Sequence, residues 1–174
     1  SRWRAVQGFD ENHQNLLALA TMVGGIFISP TKANRSVNRR RTNEQKQISR
    51  LRKYRIVPKV FTPRAYASAL GRPVAGGYPA LEPDILGEFF VLERLRELGN
   101  DPEHDKADLL RQAGWNISAQ NMGAFLIRCI TDLPDHPVLK SVTSTMTKSE
   151  SLRTYSAMLL NDMMINSGKR SNLT

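Results

Sequence analysis

Few residues in this chain have the types and spacing that chemistry requires. The single cysteine, Cys129, belongs to the helical-period set Met122, Phe125, Leu126, Cys129 and Ile130. A nucleophilic thiol needs an electropositive, accessible niche, whereas a cysteine among such neighbours reads as a core residue. His13, His104 and His136 are far apart, and none shares a short ligand spacing with Cys129, so no metal site is predicted. Asp135 and His136 sit between Pro134 and Pro137, which reads as a turn rather than an acid–base pair. Asp84 and Glu88 are four residues apart and share a helix face. No base or metal ligand accompanies them, so their reading is structural. The glycine-rich stretch "GRPVAGG" lacks the Lys-Ser/Thr that completes a phosphate loop. Phosphoryl transfer needs that cradle, a lysine and a metal-holding hydroxyl. The chain therefore reads as non-enzymatic, with no cofactor of its own.

Charge is the strongest remaining signal. The net charge is +9, yet the segment 32–64 carries twelve Lys/Arg against one acid, Glu44, a local balance of +11. The rest of the chain is therefore slightly acidic, and Glu82 to Asp108 holds nine acids against Arg94, Arg96 and Lys106. Such a basic run reads as a source of nucleic-acid phosphate contacts, as a solvated surface, or as a surface that meets the acidic Glu82–Asp108 face. Only Tyr54 interleaves the basic run as an aromatic, so single-strand stacking has little to stand on.

The elements that must position these residues are mostly helical. Asp10 is placed to cap a helix through "ENHQNLLALATMV", with Leu16, Leu17, Ala20 and Val23 inward and Gly24-Gly25 stopping it. Pro30 can open a short second helix. Thr42 with Gln45 is a capping-box signature for a third helix, with Ile48 and Leu51 inward. Two extended runs around a Gly71–Gly77 tip suggest a β-hairpin. A helix over Leu81–Gly99 is apolar nearly all round in its first turns, the signature of burial on several sides. A helix ending at Gly114 follows, then one opened by Ser118, a break at "DLPDHP", a short helix from Pro137 and a last one capped by Ser149.

The predicted fold is mainly α, in three parts. Residues 1–99 form a winged-helix-like three-helix unit with a small β-hairpin and a basic insertion at 32–64; residues 100–166 form a helical, repeat-like segment; residues 167–174 are a polar tail. No apolar run reaches membrane-spanning length. One cysteine and no signal segment predict a cytoplasmic setting. The start at Ser1, mid-pattern, reads as a fragment of something longer.

Three segments in order, "NLLALATMVGGI", "YPALEPDILGEFFVLERL" and "AFLIRCITDLPDHPVL", resemble the region after the ATPase module of bacterial STAND-type signalling NTPases. The resemblance spans residues 12 to 140. It implies a winged helix followed by helical repeats, with an upstream ATPase module as partner and ATP or ADP bound in the parent protein. In many relatives the helix after the wing opens with Met-His-Asp, whose histidine touches bound ADP. "EPDIL" falls at that place: Asp84 matches the aspartate and would lie near the nucleotide module, but Pro83 replaces the histidine. The histidine–phosphate contact is therefore not carried over.

Two functions lead, beside a third reading as an interaction adaptor with neither activity. One is a non-catalytic regulatory segment of a larger STAND-type NTPase, coupling nucleotide state to a sensor or effector. The other is a nucleic-acid-binding winged helix that contacts phosphates through Arg39, Arg40, Arg41, Lys46, Arg50, Arg52, Lys53 and Arg55.

Overall fold

The computed structural model describes residues 8–27, 35–59, 77–81, 85–100 and 105–139. Five helices dominate: α1 (Glu11–Val23), α2 (Arg35–Lys53), α3 (Ile85–Gly99), α4 (Lys106–Ile117) and α5 (Ala119–Asp132). Two two-residue strands, β1 (Ile26–Phe27) and β2 (Gly77–Tyr78), pair antiparallel with Ile26 opposite Tyr78 and Phe27 opposite Gly77. The protein is mainly helical, as its composition and periodicity predict.

The most enclosed helix is α1. Asp10 caps it, its carboxylate accepting the His13 backbone N–H at 2.9 Å. Gly24 ends it at φ 72°, a left-handed conformation that only glycine adopts without steric cost. Every residue from Asn15 to Val23 is buried. That stretch contains no charged side chain, so neighbours can surround it. Helices α3, α4 and α5 all pack on it. Each fully buried Leu, Met or Val contributes about 1.5–3 kcal/mol, and seven of the nine are apolar and wholly inaccessible.

This corrects the expectation for the Leu81–Gly99 region. Helix α3 buries Phe90, Val91, Leu92, Leu95 and Leu98, but Ile85, Leu86 and Phe89 in its first turns are exposed at 51%, 62% and 41%. Those three positions share one arc of the helix, opposite buried Gly87 and Val91. Helices α1, α4 and α5 all pack on α3, but one arc of its first turns is left uncovered.

Helix α2 differs from its prediction at the N-terminal end. It runs unbroken from Arg35, so Thr42 lies inside it and not at its start. Threonine is tolerated in a helix interior at a cost of a few tenths of a kcal/mol, roughly, and the arginines before it favour helix. Ile48 and Leu51 point inward as expected, joined by Glu44 and Gln47 on the same face. The helix ends in a Schellman motif. Ile56 N–H bonds Leu51 O and Arg55 N–H bonds Arg52 O, both at 3.0 Å, with Arg55 in the left-handed position at φ 55°. Pro30 and the segment opened by Ser149 lie outside the described residues, as does the Gly71–Gly76 part of the predicted hairpin. Residues 35–41 of the stretch after Pro30 belong to α2 and not to a separate helix. The strand residues Gly77–Tyr78 pair with β1, which precedes them by some fifty positions.

Helix α4 also departs from expectation. Asp105 caps it, accepting Asp108 N–H at 2.7 Å, but Gly114 does not stop it. A Cβ at Gly114 would come within 3.1 Å of Met122 Sδ, so the glycine serves close approach of α4 to α5. The stop comes at Ser118, whose N–H bonds Gly114 O while its Oγ accepts Asn121 N–H at 3.3 Å. One residue closes α4 and opens α5. Met122, Phe125, Leu126 and Cys129 are buried as predicted, with Ile130 partly so. Residues 137–139 then form a helical turn. One hydrophobic cluster extends from Leu16 to Leu139, so helices on both sides of residue 100 share it.

Candidate functional site

Three regions hold the polar chemistry of the described residues. The first is the C-terminal half of α2 and its cap. Lys46, Arg50, Lys53, Arg55 and Lys59 are all exposed, and Arg52 is half-buried. Arg50 Nη2 donates to Gln112 Oε1 on α4 at 3.5 Å, and Arg52 Nε donates to Pro58 O at 3.2 Å. Lys46, Lys53, Arg55 and Lys59 make no ion pair with an acid among the described residues. The side chains of Arg39, Arg40 and Arg41, though within α2, lie outside the described set. The predicted basic cluster is therefore present as an exposed surface over its second half. What the sequence did not signal is the cleft beside it. Asn12, Arg52, Arg55, Val57 and Lys59 line a cavity of about 390 Å³.

The loop that carries Arg55, Val57 and Lys59 is fixed from inside. Asn15, on α1, donates through Nδ2 to Ile56 O at 2.8 Å, and its Oδ1 accepts Arg94 Nε–H from α3 at 3.0 Å. Both side chains are buried. The loop after α2 is thereby tied to two other helices by hydrogen bonds shielded from water, where an unmade bond is costly.

The second region is a set of charges between α3 and α5. Glu88 is 1% exposed, and its Oε1 accepts Arg128 Nε–H at 2.6 Å. Its other oxygen is buried and lacks a hydrogen-bond partner among the described residues. Burial pushes the Glu88 carboxyl up; Arg128 opposes this and Asp132 adds to it. The sequence placed Asp84 beside Glu88, but Asp84 lies outside the described residues and the partner that counts is Arg128. A separation of 40 residues gave no local signal. Cys129, next to Arg128, is fully buried. Burial, with the Glu88 charge second, pushes its thiol up to about 12, so almost no thiolate exists near neutral pH.

The third is a small cluster around His136. Its Nε2 lies 3.0 Å from Glu93 Oε1, and its ring meets Phe89 edge-on at 5.8 Å between centroids. Glu93 also accepts from Arg96, and chiefly that contact holds its carboxyl below the usual range. His136 therefore pairs with Glu93 on α3 and anchors the chain after α5. His13 is used locally, with Nδ1 2.6 Å from the Asp10 carboxylate.

Among the described residues, no three His, Cys, Asp or Glu side chains gather to hold a metal ion. No described helix is long and apolar enough to cross a membrane. No family model matches the chain, and neither a curated protein nor a solved structure matches it.

Proposed function

We propose that this chain is a non-catalytic regulatory segment that docks against an upstream ATPase module through the N-terminal end of α3. The carrying observation is the exposure of Ile85, Leu86 and Phe89. They directly follow "EPD", the step that the STAND resemblance places at the boundary with the nucleotide module. Clustered large apolar side chains at one helix end are a common mark of an interaction surface. The remainder of α3 is tied to α1 by Arg94–Asn15, to α5 by Glu88–Arg128 and to the following turn by Glu93–His136. A push on the exposed end would reach three elements at once.

The test starts with the coding sequence upstream, where a phosphate-loop motif is expected. Binding of that upstream module to the chain should weaken at least tenfold in Ile85→Asp/Leu86→Asp, with the helical circular dichroism unchanged. An upstream sequence without a phosphate loop, or equal affinity of the variant, would sink the proposal.

A second reading is nucleic-acid binding by a winged helix through α2. In its favour are the exposed Lys46, Arg50, Lys53 and Arg55, and the β1–β2 pairing, which supplies a small sheet beside the helices. This reading requires duplex binding that survives near 0.15 M salt, where the Debye length is about 8 Å. Replacing Arg39, Arg40 and Arg41 by Ala should then weaken all sequences alike, since phosphate contacts position without specifying.

A further inference from the structure

We infer that the cleft lined by Asn12, Arg52, Arg55, Val57 and Lys59 is a binding site for a phosphate group. The inference stands on the cleft itself and holds or fails independently of docking at α3. Among the described residues, three cationic side chains and one amide border a cavity of about 390 Å³, and none of these lining side chains is acidic. Like charges converging on one concavity repel each other and attract an anion. Guanidinium groups suit phosphate best, since their planar fork matches two phosphate oxygens.

Two features show the cleft to be built rather than incidental. Arg55 occupies the left-handed position of the α2 cap, at φ 55°. Glycine is the usual residue there, and arginine at such a position incurs steric cost. Strain of this kind recurs where a side chain must be held at a ligand. The second feature is the support beneath. Buried Asn15, itself held by buried Arg94, donates to the carbonyl of Ile56, between Arg55 and Val57. Arg52 is oriented by its Nε–H bond to Pro58 O. A site whose donors are already placed loses less on binding than a mobile one.

Free phosphate compounds and the phosphates of a nucleic-acid backbone share this chemistry. The whole 174-residue chain should be titrated with inorganic pyrophosphate at 0.15 M salt, following backbone amide resonances. Saturable shifts are expected at Asn12 and over residues 55–59. Arg55→Gly keeps the left-handed turn and Lys59→Gln keeps the loop length; together they should weaken binding at least tenfold without lowering the melting temperature. Lys46→Gln, which removes a charge on α2 away from the cleft, should leave it unchanged. Competition by duplex DNA for the same shifts would support the site with a backbone phosphate as its source, and a lack of competition would support it with a free phosphate compound. Absence of saturable shifts, equal binding by the Arg55→Gly/Lys59→Gln variant, or an equal loss in Lys46→Gln would overturn the inference.

Discussion

Arg128 Nε donates to Glu88 Oε1 at 2.6 Å, joining α5 to α3 through a carboxylate that is 1% exposed. The pair is asymmetric, because the Arg128 side chain retains 37% exposure. Water solvates the arginine, while the glutamate depends on it. Removing the arginine strands a buried charge; removing both costs far less.

Arg128→Met should accordingly destabilise the fold at pH 7 by about 2–3 kcal/mol, below the range for fully buried pairs because solvent screens the arginine. The cost should shrink toward pH 5. Burial raises the folded-state pKa of Glu88 above its ordinary 4.5, and losing Arg128 raises it further. A raised carboxyl contributes stability below the unfolded pKa and loses it as pH rises through the folded one. Glu88→Gln in the Arg128→Met background should recover most of the loss at pH 7. Urea denaturation at the two pH values checks this, and a pH-independent cost would contradict it.

Cys129 should react with thiol reagents far more slowly in the native protein than in the unfolded chain. Its side chain is wholly buried and its thiol is pushed up to about 12. Cys129→Ser should cost about 1–3 kcal/mol, the penalty of a hydroxyl placed without a sure partner. Equal labelling rates with and without denaturant would refute the burial.

Gly24→Ala should destabilise by about 2–3 kcal/mol. Left-handed backbone costs a non-glycine residue roughly 1–2 kcal/mol. The new Cβ would also lie 2.9 Å from Asn121 Nδ2, which donates to Val23 O at 2.6 Å. Displacing that amide forfeits a hydrogen bond of about 0.5–1.5 kcal/mol. Thermal unfolding should show a lower midpoint, and an unchanged one would mean that the α1–α5 contact is absent.

Arg55→Gly should do the opposite and raise stability by about 0.5–1 kcal/mol, because the Schellman turn keeps its two hydrogen bonds and loses its steric cost. The rise should be measured in phosphate-free buffer. Loss of stability there would place Arg55 in a structural contact that the turn does not reveal.

Local physics made much of the fold legible. Asp10 and Ser118 cap helices through their own side chains, and Gly24 ends one by tolerating a left-handed turn; each effect acts within a few residues. The face of α5 was readable because burial repeats every three to four residues in an amphipathic helix. Thr42 and Gly114 misled for the same local reason. A capping-box pattern and a helix-ending glycine are weak preferences, and the longer helix α2 and the close α4–α5 packing overrode them.

Sequence alone determined which residues are apolar, where most helices begin or end, and that positive charge concentrates in one segment. These follow from side-chain chemistry and the helical period. Tertiary structure decided which helix is enclosed, because burial depends on how many neighbours arrive. It put the uncharged run of α1 at the centre and left Ile85, Leu86 and Phe89 outside. It also paired Glu88 with Arg128, His136 with Glu93 and Asn15 with Arg94, and it brought Asn12 beside Arg55 and Lys59. Those partners are tens of residues apart, and only chain folding sets distances between such positions.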